Sequence, residues 1–96
     1  MIKHKKIKVG KKYILALSMR LGQKNLVVLR GGRGYVMCGY LNLSAANKFR
    51  ETAIKVTGVA TIEDALAAHV HSCSRAALKM GIRPGQKVRE ALKIIA

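Results

Sequence analysis

The sequence has no tryptophan, one phenylalanine (Phe49), one proline (Pro84) and four acidic residues among 96. With so few large aromatics, any core has to be aliphatic, built from Ile, Leu, Val, Ala and Met. Half of the residues are apolar, which together with the near-absence of proline excludes a disordered tail protein. Acidic residues are missing from the whole first half; the four are Glu51, Glu63, Asp64 and Glu90. Glu63 and Asp64 are explained by a helix start, and Glu51 and Glu90 are isolated, so no carboxylate pair suits general acid–base catalysis.

Two cysteines, Cys38 and Cys73, are too few for a disulfide scaffold and match no zinc spacing, so both are expected as reduced thiols in a cytoplasmic protein. No apolar run approaches the ~18 residues of a membrane span. Basic residues followed by Tyr13–Met19 mimic a secretory leader, but Arg20 ends the run and no small-residue cleavage site follows.

What the chain does have is positive charge. Nineteen Lys and Arg against the four acids give +15. Twelve of the cations fall in residues 1–50, where nothing offsets them. Such a field attracts anions, whether nucleic acid, a phosphorylated small molecule or an acidic partner. Its bland counterpart is a solvated basic surface.

Periodicity sets the fold class. IKHKKIKV (2–9) alternates, with Ile7 and Val9 on one face and Lys6 and Lys8 on the other, as in an edge or half-exposed strand. Tyr13–Leu21, Leu26–Leu29 and Tyr35–Leu41 follow as strands, joined by connections short enough for an antiparallel meander. After Leu41 helical signals dominate: a helix over Ala45–Glu51 capped by Ser44, one over Ile62–Val70 capped by Thr61, one over Ser74–Met80 closed by Gly81, and one over Gln86–Ile95 burying Val88, Ala91, Leu92 and Ile95. Ala53–Val59 reads as a fifth strand. The expectation is an α+β domain spanning residues 1–96. It has a four- to five-stranded, mainly antiparallel sheet with three to four short helices on one face. The face left open by the helices predicts a homo-oligomer.

RGYVMCG (33–39), VTGVATIEDAL (56–66), and GIRPG with REAL (81–85 and 89–92) resemble the YunC-like family of small bacterial and archaeal proteins. The resemblance runs from the second strand to the last helix. It implies a compact α+β domain of unknown function, with no catalytic residue or cofactor to carry over. The very basic first half and the Gly31-Gly32 pair depart from the family picture.

The stretch RGGRGYVMCGYLNL (30–43) holds the candidate site. Arg30, Gly31, Gly32, Arg33 and Gly34 form a glycine-rich turn whose N–H groups can converge on an anion and whose arginines add forked donors. As a plain β-turn it needs the same glycines. It lacks the Lys-[Ser/Thr] of a P-loop and the spacing of a dinucleotide fingerprint. Cys38, lowered in pKa by nearby cations, would be a nucleophile; buried, it is an inert thiol. Gly39 inside a strand marks a bulge or the close approach of a ligand or backbone. His69, His71 and Cys73 would share a face on a strand, but the stretch reads as a helix junction, and no metal is expected. Stacking platforms for nucleic acid are limited to Tyr13, Tyr35, Tyr40 and Phe49.

The sequence thus names no reaction, and neither a cofactor nor an enzyme class can be read from it. Its leading reading is a binding module for a small anionic or phosphorylated ligand at the Gly/Arg turn, with Cys38 and Gly39 lining the site. The alternatives are non-specific nucleic-acid binding through the lysines and a thiol-dependent enzyme using Cys38.

Overall fold

Strand pairing follows chain order from the first residues onward. The computed structural model describes residues 2–96. β1 (Ile2–Val9) and β2 (Lys12–Leu21) pair antiparallel through the two-residue connection Gly10-Lys11, and β2 and β3 (Lys24–Arg30) through Gly22-Gln23. β4 (Tyr35–Met37) adds antiparallel to β3. Among the described residues the sheet has six strands in the order β1-β2-β3-β4-β5-β6. The α+β class and the N-terminal meander are as expected, and the strand count is slightly higher.

The additional strand is β6 (Ser72–Cys73), within the stretch read as a helix junction. It pairs antiparallel with β5 (Ala53–Lys55). Two residues are too short to show a period of their own; the backbone bonds His71 N–H to Lys55 and Ser74 N–H to Ala53 hold them in place. β5 in turn runs parallel to β4, which requires a crossover, supplied by α1 (Leu43–Lys48). β4 and β5 are shorter than their apolar runs, because the chain turns away after Met37 and after Lys55.

Helix starts follow cap chemistry. α1 begins one residue before Ser44, capped by Asn42, whose side chain accepts the Ala45 N–H at 3.2 Å. α2 (Ile62–Ala67) is capped by Thr61 as expected, with Thr61 Oγ1 accepting the Asp64 N–H at 3.0 Å. It stops short of Val70 because Ala68 turns extended; His69 then bridges to Lys87, and Val70 N–H bonds Gln86. α3 (Arg75–Lys79) starts on Ser74. α4 (Val88–Ile95) buries the four expected positions, Val88, Ala91, Leu92 and Ile95.

Both α1 and α3 end in the same hydrogen-bond pair, with N–H of Glu51 to Ala46 and of Arg50 to Asn47 in one, and of Ile82 to Ala77 and of Gly81 to Leu78 in the other. That pattern needs a left-handed residue at its penultimate position. Gly81 fills it at φ 97° as its sequence position suggested, whereas α1 uses Arg50 at φ 57°.

The main core gathers Ile14, Ala16, Val27, Leu29, Val36, Ile54 and Val56 from the sheet under α2, α3 and α4. A second, smaller cluster sits on the opposite side of β4–β5, where α1 packs Ala46 near Leu41 and Ala53. Ser74 pins this region. Its fully buried hydroxyl donates to the Glu51 carbonyl at 2.7 Å and accepts the N–H groups of Ala53 and Ala77 at 3.0 and 3.3 Å. Over β1–β3, the face opposite the main core carries no helix.

Candidate functional site

The glycine-rich turn owes its glycines to packing. A β-carbon on Gly31 would lie 2.2 Å from the Ile95 carbonyl oxygen, and one on Gly34 would lie 2.7 Å from the Thr52 carbonyl oxygen. No side chain fits at either distance. Two of the turn's amides are committed to carbonyls: Gly31 N–H to Gly34 at 2.8 Å and Arg33 N–H to Ile95 at 2.8 Å. The end of α4 therefore occupies the place where converging donors were expected to meet an anion. Arg30 and Arg33 are exposed. A shallow hollow of about 390 Å³ beside the turn is lined by Arg30, Gly32, Tyr35 and Met37.

Cys38 and Gly39 lie elsewhere. At about 3.3 Å per residue of strand, Cys38 is on the order of 15 Å from Arg33. The structure thus separates the predicted site residues into two groups at opposite ends of β4. The second group borders the largest hollow described, about 630 Å³, between the β2–β3 hairpin, the end of β4 and the 57–60 loop.

Each wall of this cleft has a local cause. Val28 opposite Met37 sets a register that continues to place the hairpin tip beside Cys38–Tyr40. Arg20 and Lys24 flank the Gly22-Gln23 connection and contribute two cations. The Arg20 Nε–H donates to the Gly22 carbonyl at 3.0 Å, which steadies the guanidinium at the rim. The loop forms the third wall, held from two sides: Asn25 Nδ2 donates to the Ala60 carbonyl at 2.8 Å, and Ala60 N–H donates to the Asp64 carboxylate at 3.1 Å. Tyr40 stands half-exposed at the mouth. Gly39, expected inside a strand, lies in the turn that follows β4, which ends at Met37; Leu41 N–H bonds the Cys38 carbonyl there. A β-carbon on Gly39 would meet nothing within 4 Å, so the glycine marks open space. No acidic side chain lines this hollow.

Cys38 is 3% exposed. Its sulfur accepts the Val27 N–H at 3.4 Å and lies 3.8 Å from the Asn25 carbonyl, so the thiol is a wall element held by β3. Cys73 is half-buried with its thiol towards the Ile82 carbonyl, and burial pushes its pKa up, partly offset by Arg83. Both cysteines are free. His71 is exposed, its Nδ1 3.0 Å from the Ser72 hydroxyl. Among the described residues no three metal-ligating side chains come together, and no helix is long and apolar enough to cross a membrane.

A smaller hollow of about 330 Å³ continues the cleft, sharing Arg20, Asn25 and Ala60 and reaching Lys3, Lys5 and Ser18. Its one acid, Glu63, is neutralised by Lys5 at 2.9 Å. That bond holds the Glu63 carboxyl below its usual range, helped by a backbone hydrogen bond. Arg20, Lys24, Asn25 and the 57–60 loop carry no local signal of a site in the sequence, and Tyr40 stands out there only as a stacking ring. The signal available was pairing arithmetic: in a tight antiparallel meander, the tip of one hairpin neighbours the far end of the next strand.

Residues 37–95 match a family model described as a domain of unknown function, DUF1805. The uncharacterised protein YunC of Bacillus subtilis is 36% identical over 81 residues, covering 80% of each chain. A crystal structure of a protein of unknown function, TA1206 of Thermoplasma acidophilum, superposes with a TM-score of 0.96 at 36% identity, covering all of this chain and 94% of that one. The match over most of the chain and the 36% identity to YunC show that this chain belongs to the YunC-like family, whose domain is of unknown function.

Proposed function

We propose that this protein is a binding module for a small anionic, phosphorylated ligand held in the cleft between the β2–β3 hairpin, Cys38–Tyr40 and the 57–60 loop. One observation carries the reading: a hollow of about 630 Å³ whose charged lining is cationic, Arg20 and Lys24, with no acid among its walls. That volume lies within the roughly 300–1,000 Å³ of ordinary small-molecule sites. Arg20 is the forked donor, Lys24 the point charge, and Gly39 leaves the backbone of the turn after β4 accessible to the ligand. Tyr40 offers a ring to an aromatic or sugar moiety. Two free thiols suit a reducing compartment, so we place the protein in the cytoplasm.

The Arg30–Gly34 turn is a second location for the same ligand class, supported by the hollow beside Arg30. The lysines of β1 alternate between the two sheet faces, Lys3 and Lys5 against Lys6 and Lys8, and so form no one-sided stripe for a nucleic-acid backbone.

The test is titration of the protein with inorganic pyrophosphate, followed by amide NMR shifts. The cleft reading expects the shifts to concentrate at Lys24, Gly39, Tyr40 and Gly58, with Arg20→Ala weakening binding about tenfold or more. Shifts confined to Gly32–Gly34, lost in Arg33→Ala, would move the site to the turn. Binding to single-stranded DNA with a steep salt dependence, and none to pyrophosphate, would favour the nucleic-acid reading.

A further inference from the structure

Along β2 the inward face reads Ile14, Ala16, Ser18 and then Arg20. Ile14 and Ala16 are buried in the core, and Ser18 is a hydroxyl only 9% exposed. A strand alternating into an aliphatic core calls for a third apolar side chain at that position. No fully enclosed side-chain nitrogen or oxygen among the described residues lacks a partner. Ser18 Oγ bonds none of those residues, so it opens into the hollow of about 330 Å³ that it lines. An unpaired hydroxyl at that depth is unfavourable until a group from outside the fold completes it.

Its neighbours are those of an anion subsite. Lys3 is the direct cross-strand partner of Ser18 on β1, and Arg20 follows two residues along on the same face. Both line the hollow. Lys5 is committed to Glu63 at 2.9 Å, which cancels the carboxylate at the wall. Lys3 has no acidic partner among the described residues. Arg20 borders both hollows; its Nε–H is spent on the Gly22 carbonyl, which leaves the terminal nitrogens as donors.

Spacing decides what can use both hollows. In the larger one the cations Arg20 and Lys24 stand at the rim, beside the Leu21–Lys24 pair. Ser18 lies three residues further along β2, roughly 10 Å at ~3.3 Å per residue. The two phosphorus atoms of a diphosphate share one bridging oxygen and cannot reach both places. Two phosphoryl groups at opposite ends of a short hydroxylated scaffold can. The waist between the hollows is Asn25 and Ala60, joined by the Asn25 Nδ2 bond to the Ala60 carbonyl at 2.8 Å. That bond leaves Asn25 Oδ1 to accept a scaffold hydroxyl.

We infer that the smaller hollow is a second phosphoryl subsite, and that the ligand is a bisphosphate with its phosphoryl groups at opposite ends of a sugar or nucleoside. The inference rests on the cleft reading above. Ser18 Oγ–H donates to an oxygen of the second phosphoryl group, the Lys3 ammonium supplies charge, and Arg20 stands between the two anions.

Amide NMR titrations of the purified protein with fructose 1,6-bisphosphate, fructose 6-phosphate, adenosine 3′,5′-bisphosphate and adenosine 5′-monophosphate test it. Each bisphosphate is compared with its monophosphate, and the pair with the larger gain in affinity identifies the scaffold. The expected gain is about tenfold or more, with added shifts at Lys3 and Ser18. Ser18→Ala and Lys3→Ala, checked for native circular dichroism, each remove most of that gain. Bisphosphates no tighter than their monophosphates overturn the second subsite, as does a gain that survives both substitutions. In either case the cleft reading stands if the monophosphates shift Lys24, Gly39 and Tyr40. No shift with any of the four compounds removes both.

Discussion

Gly31 lies so close to Ile95 that a single added methyl group would fall 2.2 Å from that residue's carbonyl oxygen. The contact is backbone against backbone, so no rotamer change relieves it. Gly31→Ala must push the end of α4 off the sheet, at a cost of about 1–3 kcal/mol or more. Gly32→Ala, whose β-carbon would lie 3.9 Å from Ala96, is expected to be near neutral. Thermal unfolding of the two variants checks the difference; equal melting temperatures would mean that the turn and α4 are not in register as described.

The paired helix ends make a second comparison. Gly81 and Arg50 occupy equivalent left-handed positions, and an L side chain there costs about 1–2 kcal/mol relative to glycine. Arg50→Gly is therefore expected to stabilise the protein by about 0.5–1 kcal/mol, net of the backbone freedom that glycine adds to the unfolded chain. Gly81→Arg is expected to destabilise by a similar or larger amount. Urea midpoints at constant slope measure both.

The Tyr35–Glu51 bond predicts an alkaline signature. Burial first, then the hydrogen bond to Glu51 and its charge, raise the Tyr35 pKa from 10.0 to about 12. A raised acid stabilises the fold while it is protonated. The contribution is present below about pH 10 and is lost as pH rises from there through about 12. Melting temperatures of wild type and Tyr35→Phe should differ at pH 8 and converge across that window. A constant gap would show that the Tyr35 pKa is not raised in the folded protein.

Thiol chemistry separates the two cysteines. Cys73 is half-buried and Cys38 is buried. A disulfide reagent at pH 7 should label Cys73 slowly and Cys38 only on unfolding. Labelling of Cys38 in the folded protein at the rate of free cysteine would reinstate thiol catalysis as a reading of the cleft.

The elements that were legible before the fold was known are those whose signal is local. Alternation over Ile2–Val9, the α4 stripe, Thr61 as a cap and Gly81 as a helix stop each need only a few neighbouring residues to be recognised. Features set by distant partners were not. β6 exists because Ser72–Cys73 meets β5. The parallel pairing of β4 and β5 depends on where α1 delivers the chain. The glycines of the turn looked like a cradle, and only the approach of Ile95, more than sixty residues later, assigns them to packing. The same limit applied to the site. Cys38 and Gly39 stand out by their chemistry, but Arg20 and Lys24 join them only through strand register.

Among the described residues the six strands pair in the order in which they occur in the chain. A ribosome releasing this sequence from its N-terminus would deliver each strand beside a neighbour already present, so no strand has to be inserted later between two others. The lid over the main core is different: α4 follows all six strands in the chain. A nascent chain arrested before Val88 would hold a nearly complete sheet with Ile14, Leu29 and Val36 bare, and would invite chaperones or aggregation at that stage. Synthesis of α4 is then the committed step, and slowing translation over residues 88–96 should lower the yield of folded protein more than slowing it over the strands.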